Sequence, residues 1–188
     1  AISPKWNASA LFNARTQFTE GFAYSKTAAG LDTSSVISKS FSPAFLLLSL
    51  GFDYKPNDNF SLFLSPLTQR WVVVTDAALA SNFGVLPGKK SKSELGAFVS
   101  ANYTAKLGSN FVYKSKLDLF SNYKKNPQNI DIFWTNALTA KLTKYINFSF
   151  NLDMIYDDDT KNINPAKGPA PQWLQLMGIG FAYNFNKK

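Results

Sequence analysis

Residues 45–66 read FLLLSLGFDYKPNDNFSLFLSP, an apolar run, a knot of turn residues and a second apolar run. A soluble protein would hide that much apolar surface in one compact core, so the period of the pattern matters. Leu46, Leu48, Leu50, Phe52 and Tyr54 fall on one parity, and Ser49, Gly51 and Asp53 fall on the other. That is a period of two, which a strand keeps on one face and a helix cannot.

The same alternation runs outward in both directions. Leu95, Ala97, Val99, Ala101, Tyr103, Ala105 and Leu107 alternate with Glu94, Gly96, Ser100, Asn102, Thr104 and Lys106. Ile146, Phe148, Phe150, Leu152, Met154 and Tyr156 alternate with Asn147, Ser149, Asn151 and Asp153. Segments beginning at Trp6, Phe111 and Ile130 repeat it, and residues 59 to 75 and 172 to 185 complete a set of eight predicted strands. The patterns run roughly 11 to 16 residues, against a mode near 5 to 6 in globular proteins and about 9 to 11 for a tilted transmembrane strand.

Short reversals at KPNDN, LGSN and TKYIN alternate with longer connections near 21–42, 76–92 and 157–171. Aromatic residues gather at the strand ends. Trp6, Tyr54, Tyr103, Tyr113 and Tyr183 lie toward the short turns, and Tyr123, Trp134, Tyr156 and Trp173 toward the long loops. Loop asymmetry and two aromatic girdles are the pattern of an outer-membrane barrel. The predicted fold is all-β: an antiparallel transmembrane β-barrel over residues 1–188, with the apolar face turned to lipid and the backbone satisfied by closure.

Composition narrows the chemistry. Aromatic residues make up 15% of the 188, and charged residues only 17%, against a norm of roughly 25% charged. There is no Cys and no His, which removes disulfides, thiolate metal sites and the commonest general base and metal ligand. No phosphate-cradling loop is present, and no cofactor is expected. The three adjacent carboxylates of YDDDT (156–160) lack the alternation and glycine of a calcium loop and read as a solvated strand end. The expectation is a protein without enzymatic activity.

The formal charge is +8. Lys89, Lys90, Lys92, Lys124 and Lys125 fall in the long-loop regions and predict a basic rim for outer-membrane lipid, lipopolysaccharide phosphates or other outer-membrane proteins. Arg15, Asp53, Glu94, Lys114, Lys116, Asp118, Asp131, Lys141 and Asp153 fall on the polar faces, inside such a barrel. Bulky inward residues, Phe98, Phe120 and Phe133, argue against an open channel. A soluble basic β-protein that binds nucleic acid is the remaining alternative, but there aromatics should share a face with lysines, and here they mostly alternate with them.

The last predicted strand, MGIGFAYNF (177–185), places Gly180, Tyr183 and Phe185 in a Gly-x-x-aromatic-x-aromatic ending that resembles the sorting signal of bacterial outer-membrane barrels. The stretches DYKPNDNFSLFLSPLT (53–68), LDLFSNY (117–123), NPQNID (126–131) and IYDDD (155–159) together resemble a family of Bacteroidota outer-membrane β-barrels of unknown function. The resemblance implies a bacterial outer-membrane location and carries no catalytic residues. It also implies strands upstream of Ala1, so that the eight strands here would be a subset of about twelve. The function expected is that of a structural or accessory subunit of an outer-membrane complex, with a small passive pore as the alternative.

Overall fold

The computed structural model describes residues 2–27, 30–157 and 168–183. The chain is all-β. Eight strands form one antiparallel sheet in the order β1 (Trp6–Thr16), β4 (Ala44–Asn57), β5 (Phe60–Val73), β6 (Ser91–Leu107), β7 (Phe111–Asn122), β8 (Ile130–Lys141), β9 (Ile146–Tyr156) and β10 (Gln172–Phe181). Each of the eight predicted strands is present. Two short strands, β2 (Gly21–Lys26) and β3 (Asp32–Ser38), form a separate hairpin within the first long connection.

The sheet curls strongly. Arg15 on β1 stacks over the Phe133 ring on β8, 5.5 Å away, although four strands lie between them in the sheet order. In a flat sheet those two strands would stand roughly 24 Å apart, so the face carrying both residues is concave. The opposite, convex face is apolar and open: Leu48, Leu50, Phe52 and Leu67 are between 42% and 50% exposed.

The curled sheet is not closed into a ring. Among the described residues β1 and β10 are its two edges, and they do not pair with each other. β10 differs from the other strands in chemistry. Its concave positions include Leu174 and Leu176, opposite Asp153 and Asn151, and both leucines are exposed along with Met177 and Ile179 on the other face. A strand apolar on both faces lacks the polar side that would seat it against the polar interior.

A bulge shapes β5. Its register against β6 shifts between Ser65 and Thr68, and Pro66, which has no N–H to give a ladder, sits in that step. The shift moves the inward parity from odd residues, Phe63 and Ser65, to even ones, Thr68, Arg70 and Val72. The step is closed internally: the Thr68 hydroxyl lies 2.8 Å from those of Ser49 and Ser65, all three buried. Gly51 and Gly96 let the strands approach here, because a Cβ on either would run into the carbonyl of Leu64 or of Ser121.

Candidate functional site

The concave face is built in storeys from the long-loop end to the short-turn end. The uppermost is a cap. After β5 the chain turns into a 3₁₀ segment, Ala77–Phe83, begun by the Asp76 side chain accepting from the Ala78 N–H and ended by Gly84 at φ 67°, a left-handed conformation that favours glycine. Val74, Leu79, Ala80 and Val85 are buried against Val72, with Phe45 and Phe83 alongside. Because Val72 and Phe45 are opposite each other on the inner face, the cap seals the long-loop end of the concavity. It is tied to the start of β4 by Ser42, whose hydroxyl lies 2.8 Å from that of Thr75 and accepts from the Asp76 N–H, and by the Lys39–Asp76 ion pair at 2.9 Å.

Beneath the cap lies an ion network. Arg70 donates to Glu94 at 2.7 Å and to Asp131 at 2.6 Å, and its guanidinium stacks on the Phe120 ring at 4.1 Å. Glu94 also takes Lys92 at 3.2 Å and the Asn122 amide at 3.3 Å. Arg15 joins this level between the rings of Phe45 and Phe133. Guanidinium groups suit such a site because a planar fork bridges two carboxylates while its face stacks on an aromatic ring. Below the network Phe63, Phe98 and Phe120 form a buried cluster with Leu11 and Leu47 packed on it.

At the short-turn end the concave face is polar and open. Register aligns Asn102, Lys116, Thr135 and Asp153 across β6 to β9 in one row, and Thr104, Lys114, Ala137 and Asn151 in the next. The two rows line a recess of about 450 Å³. Lys116 pairs with Asp118 at 2.8 Å, and Asp53 pairs with Lys55 at 2.8 Å.

The nine charged residues predicted for the interior thus share the concave face, but they divide by storey. Arg15, Glu94 and Asp131 are in or beside the upper network, whereas Asp53, Lys114, Lys116, Asp118, Lys141 and Asp153 stand toward the short turns. Arg70, the centre of the network, was not among the predicted charges. The signal that could have found it is Pro66 in mid-strand, marking the bulge that turns Arg70 inward.

The basic rim needs one correction. Lys89, Lys90, Lys124 and Lys125 are exposed at the long-loop end, but Lys92 sits at the start of β6 with its side chain turned toward Glu94 and only 18% exposed. It has the same parity as Glu94, one residue pair further along the strand, so the ladder points it inward. Gly180 and Tyr183 of the sorting-like ending are exposed, in β10 and just beyond it, and Phe185 lies outside the described residues. So do residues 158–160 of the YDDDT stretch.

The convex face carries paired aromatics near the short turns. Trp6 and Tyr54 have centroids 4.7 Å apart, Tyr103 and Tyr113 6.5 Å, and Tyr145 stacks on Tyr183 at 5.5 Å. Two polar groups of this face bond within it: Trp134 Nε1 donates to Ser115 at 2.9 Å, and the Tyr113 hydroxyl to Asn136 Oδ1 at 2.7 Å. Toward the long loops the Tyr123 hydroxyl donates to the Pro66 carbonyl left open by the bulge, at 2.7 Å. Comparison with protein-family models, curated proteins and solved structures gave no match to this chain.

Proposed function

We propose that this chain is an integral β-barrel unit of a bacterial outer membrane, without enzymatic activity, serving as a structural or accessory subunit whose partners are lipid, lipopolysaccharide and other outer-membrane proteins. The observation that carries the proposal is the division of the sheet into two faces. Exposed leucines and aromatics cover the convex side, while charges are drawn to the concave side, where several of them form ion pairs. In water that arrangement is inverted. In a bilayer it places apolar side chains in hydrocarbon, aromatic pairs at an interface and ion pairs in a polar interior. The likeness to a Bacteroidota barrel family supports the same location.

Hydrocarbon does not tolerate unpaired strand edges, so β1 and β10 are paired in the membrane, either with each other or through further strands. The chain has no natural cysteine, which makes introduced thiols unambiguous. Cysteine pairs joining Ala10 on β1 to Met177 or Ile179 on β10 cross-link within one chain if eight strands close the ring. They stay unlinked, with insertion intact, if more strands intervene. The proposal itself is tested by refolding into liposomes and reading protease protection and heat-modifiable migration. A chain that stays monomeric and folded in detergent-free buffer sinks it.

A passive pore is the weaker reading, because the cap, the Arg70 network and the phenylalanine cluster fill successive levels of the concavity. Nucleic-acid binding is weaker still: the aromatic pairs named above are on the convex face, and Lys114 and Lys116 are on the concave one.

A further inference from the structure

The two ends of the concave face differ in charge balance and in access. In the upper storey Arg70 and Lys92 are met by Glu94 and Asp131 at hydrogen-bonding distance and Arg15 is held between the Phe45 and Phe133 rings, in a level closed above by the cap and below by Phe63, Phe98 and Phe120. Toward the short turns four inward lysines, Lys106, Lys114, Lys116 and Lys141, stand against Asp118 and Asp153, the Asp53–Lys55 pair cancelling itself. The surplus at this end is two positive charges, and the 450 Å³ recess is lined by Lys114, Lys116 and Asp153 among them, Lys106 and Lys141 standing outside its lining.

Lys114 is the group around which the recess is arranged. Asp118, on its own strand, is taken by Lys116. Asp153 is two strands and two residues away, roughly 12 Å between Cα atoms at ordinary sheet spacings. Among the described residues no carboxylate pairs with Lys114. Its neighbour across the ladder is Ala137, the smallest residue of either row, so the space in front of the ammonium is left open. Asn102, Thr104 and Asn151 line that space and can donate hydrogen bonds to an oxygen. A barrel interior that needed only filling would place a large side chain or a counter-charge at residue 137.

We propose that this recess is a binding site for a small hydrophilic anion, a carboxylate or phosphate group entering from the short-turn end, with Lys114 as its counter-charge and the flanking amide and hydroxyl groups as its donors. Asp153 at the far corner confines the negative group to the Lys114 side. The site belongs to the concave face and stands whether lipid or water covers the convex one.

The test uses the full chain folded in detergent, titrated calorimetrically with inorganic phosphate and separately with acetate, against chloride at equal ionic strength. Saturable binding of one or both anions is expected. Lys114→Gln should weaken it at least tenfold, and Ala137→Leu, which fills the recess with every lysine intact, should do the same. The rim variant Lys89→Gln/Lys90→Gln/Lys124→Gln/Lys125→Gln should bind as the parent does. Phosphate alone assigns a phosphate-bearing ligand, and acetate alone a carboxylate. Circular dichroism verifies that each variant is folded, and Lys114→Gln, at an exposed position, decides the matter if Ala137→Leu does not fold. The proposal is overturned by no saturable binding in the parent, by unchanged binding in Lys114→Gln, or by loss of binding in the rim variant.

Discussion

Arg70 on β5 and Asp131 on β8 are joined by an ion pair of 2.6 Å across two intervening strands. Neighbouring strands are about 4.8 Å apart, so a flat sheet would hold β5 and β8 about 14 Å from each other. The pair therefore ties curvature to electrostatics. Only a tightly curled sheet brings the groups together, and once together they resist uncurling.

Removing the cation leaves Glu94 and Asp131 facing each other in a level that the cap and the phenylalanine cluster shield from water. Arg70→Met should cost about 3 to 5 kcal/mol, the usual penalty for breaking one side of a buried pair. Arg70→Lys should recover only part of it, since one ammonium cannot bridge two carboxylates and stack on Phe120 at once. Urea unfolding in liposomes measures both. Equal stability of Arg70→Met and the parent would mean that the network does not hold the curl.

The two faces are separable by arginine substitution. At the bilayer midplane Leu48→Arg and Phe150→Arg should each cost about 2 to 4 kcal/mol. Ser149→Arg, pointing inward opposite Thr139 and Gly178, should respond to space instead. Equal tolerance of all three in reversible unfolding would assign the convex face to water.

Most of this architecture was legible because long strands repeat a period of two over enough residues to fix both their existence and their faces. What escaped lacked that period or depended on contacts distant in sequence. The β2–β3 hairpin contains DTSSVIS, a mostly polar run, with Phe22 and Tyr24 exposed on its partner strand, so no buried face writes an alternation. The 3₁₀ cap is one short run, AALASNF, whose burial is decided by Val72 and Phe45 on the sheet. Arg70 was lost to the bulge at Ser65, where one register step exchanges the inner and outer parities. The open edge of β10 could not be read at all, because alternation reports faces and not neighbours.

The tie between Lys39 and Asp76 predicts how the cap responds to pH. The hydrogen bond from Lys39 holds the Asp76 carboxyl below the usual carboxylate range, and the same bond raises the Lys39 ammonium above its ordinary value. The depressed carboxyl contributes stability that is present above the ordinary carboxylate range and lost as pH falls through its folded value. The raised ammonium contributes stability that is present below the ordinary lysine range and lost as pH rises through its folded value. The difference in unfolding midpoint between the parent and Lys39→Met should be flat between those ranges and shrink at both ends. A difference that varies across neutral pH would point to another group.

The same cap predicts electrical silence. Leu79→Ser with Val85→Ser should loosen its apolar cluster, yet the Arg70 network and the Phe63, Phe98 and Phe120 cluster still fill the levels below. Neither the parent nor this variant should show single-channel conductance in planar bilayers. Steady conductance in the parent would favour the passive pore.

The inward turn of Lys92 separates two effects that a triple substitution at Lys89, Lys90 and Lys92 would confound. Lys89, Lys90, Lys124 and Lys125 are exposed at the long-loop end, where each contact with an anionic headgroup is weak and screened within about 8 Å at physiological salt. Replacing the four with Gln should leave folding unchanged and reduce binding to vesicles containing anionic lipid, most visibly at low salt. Lys92→Gln should behave in the opposite way. It withdraws one of the cations that face Glu94, so it should lower unfolding stability while leaving vesicle binding near that of the parent. Flotation assays across ionic strength, run beside urea unfolding, read both quantities. Loss of vesicle binding in Lys92→Gln with stability intact would return this residue to the rim.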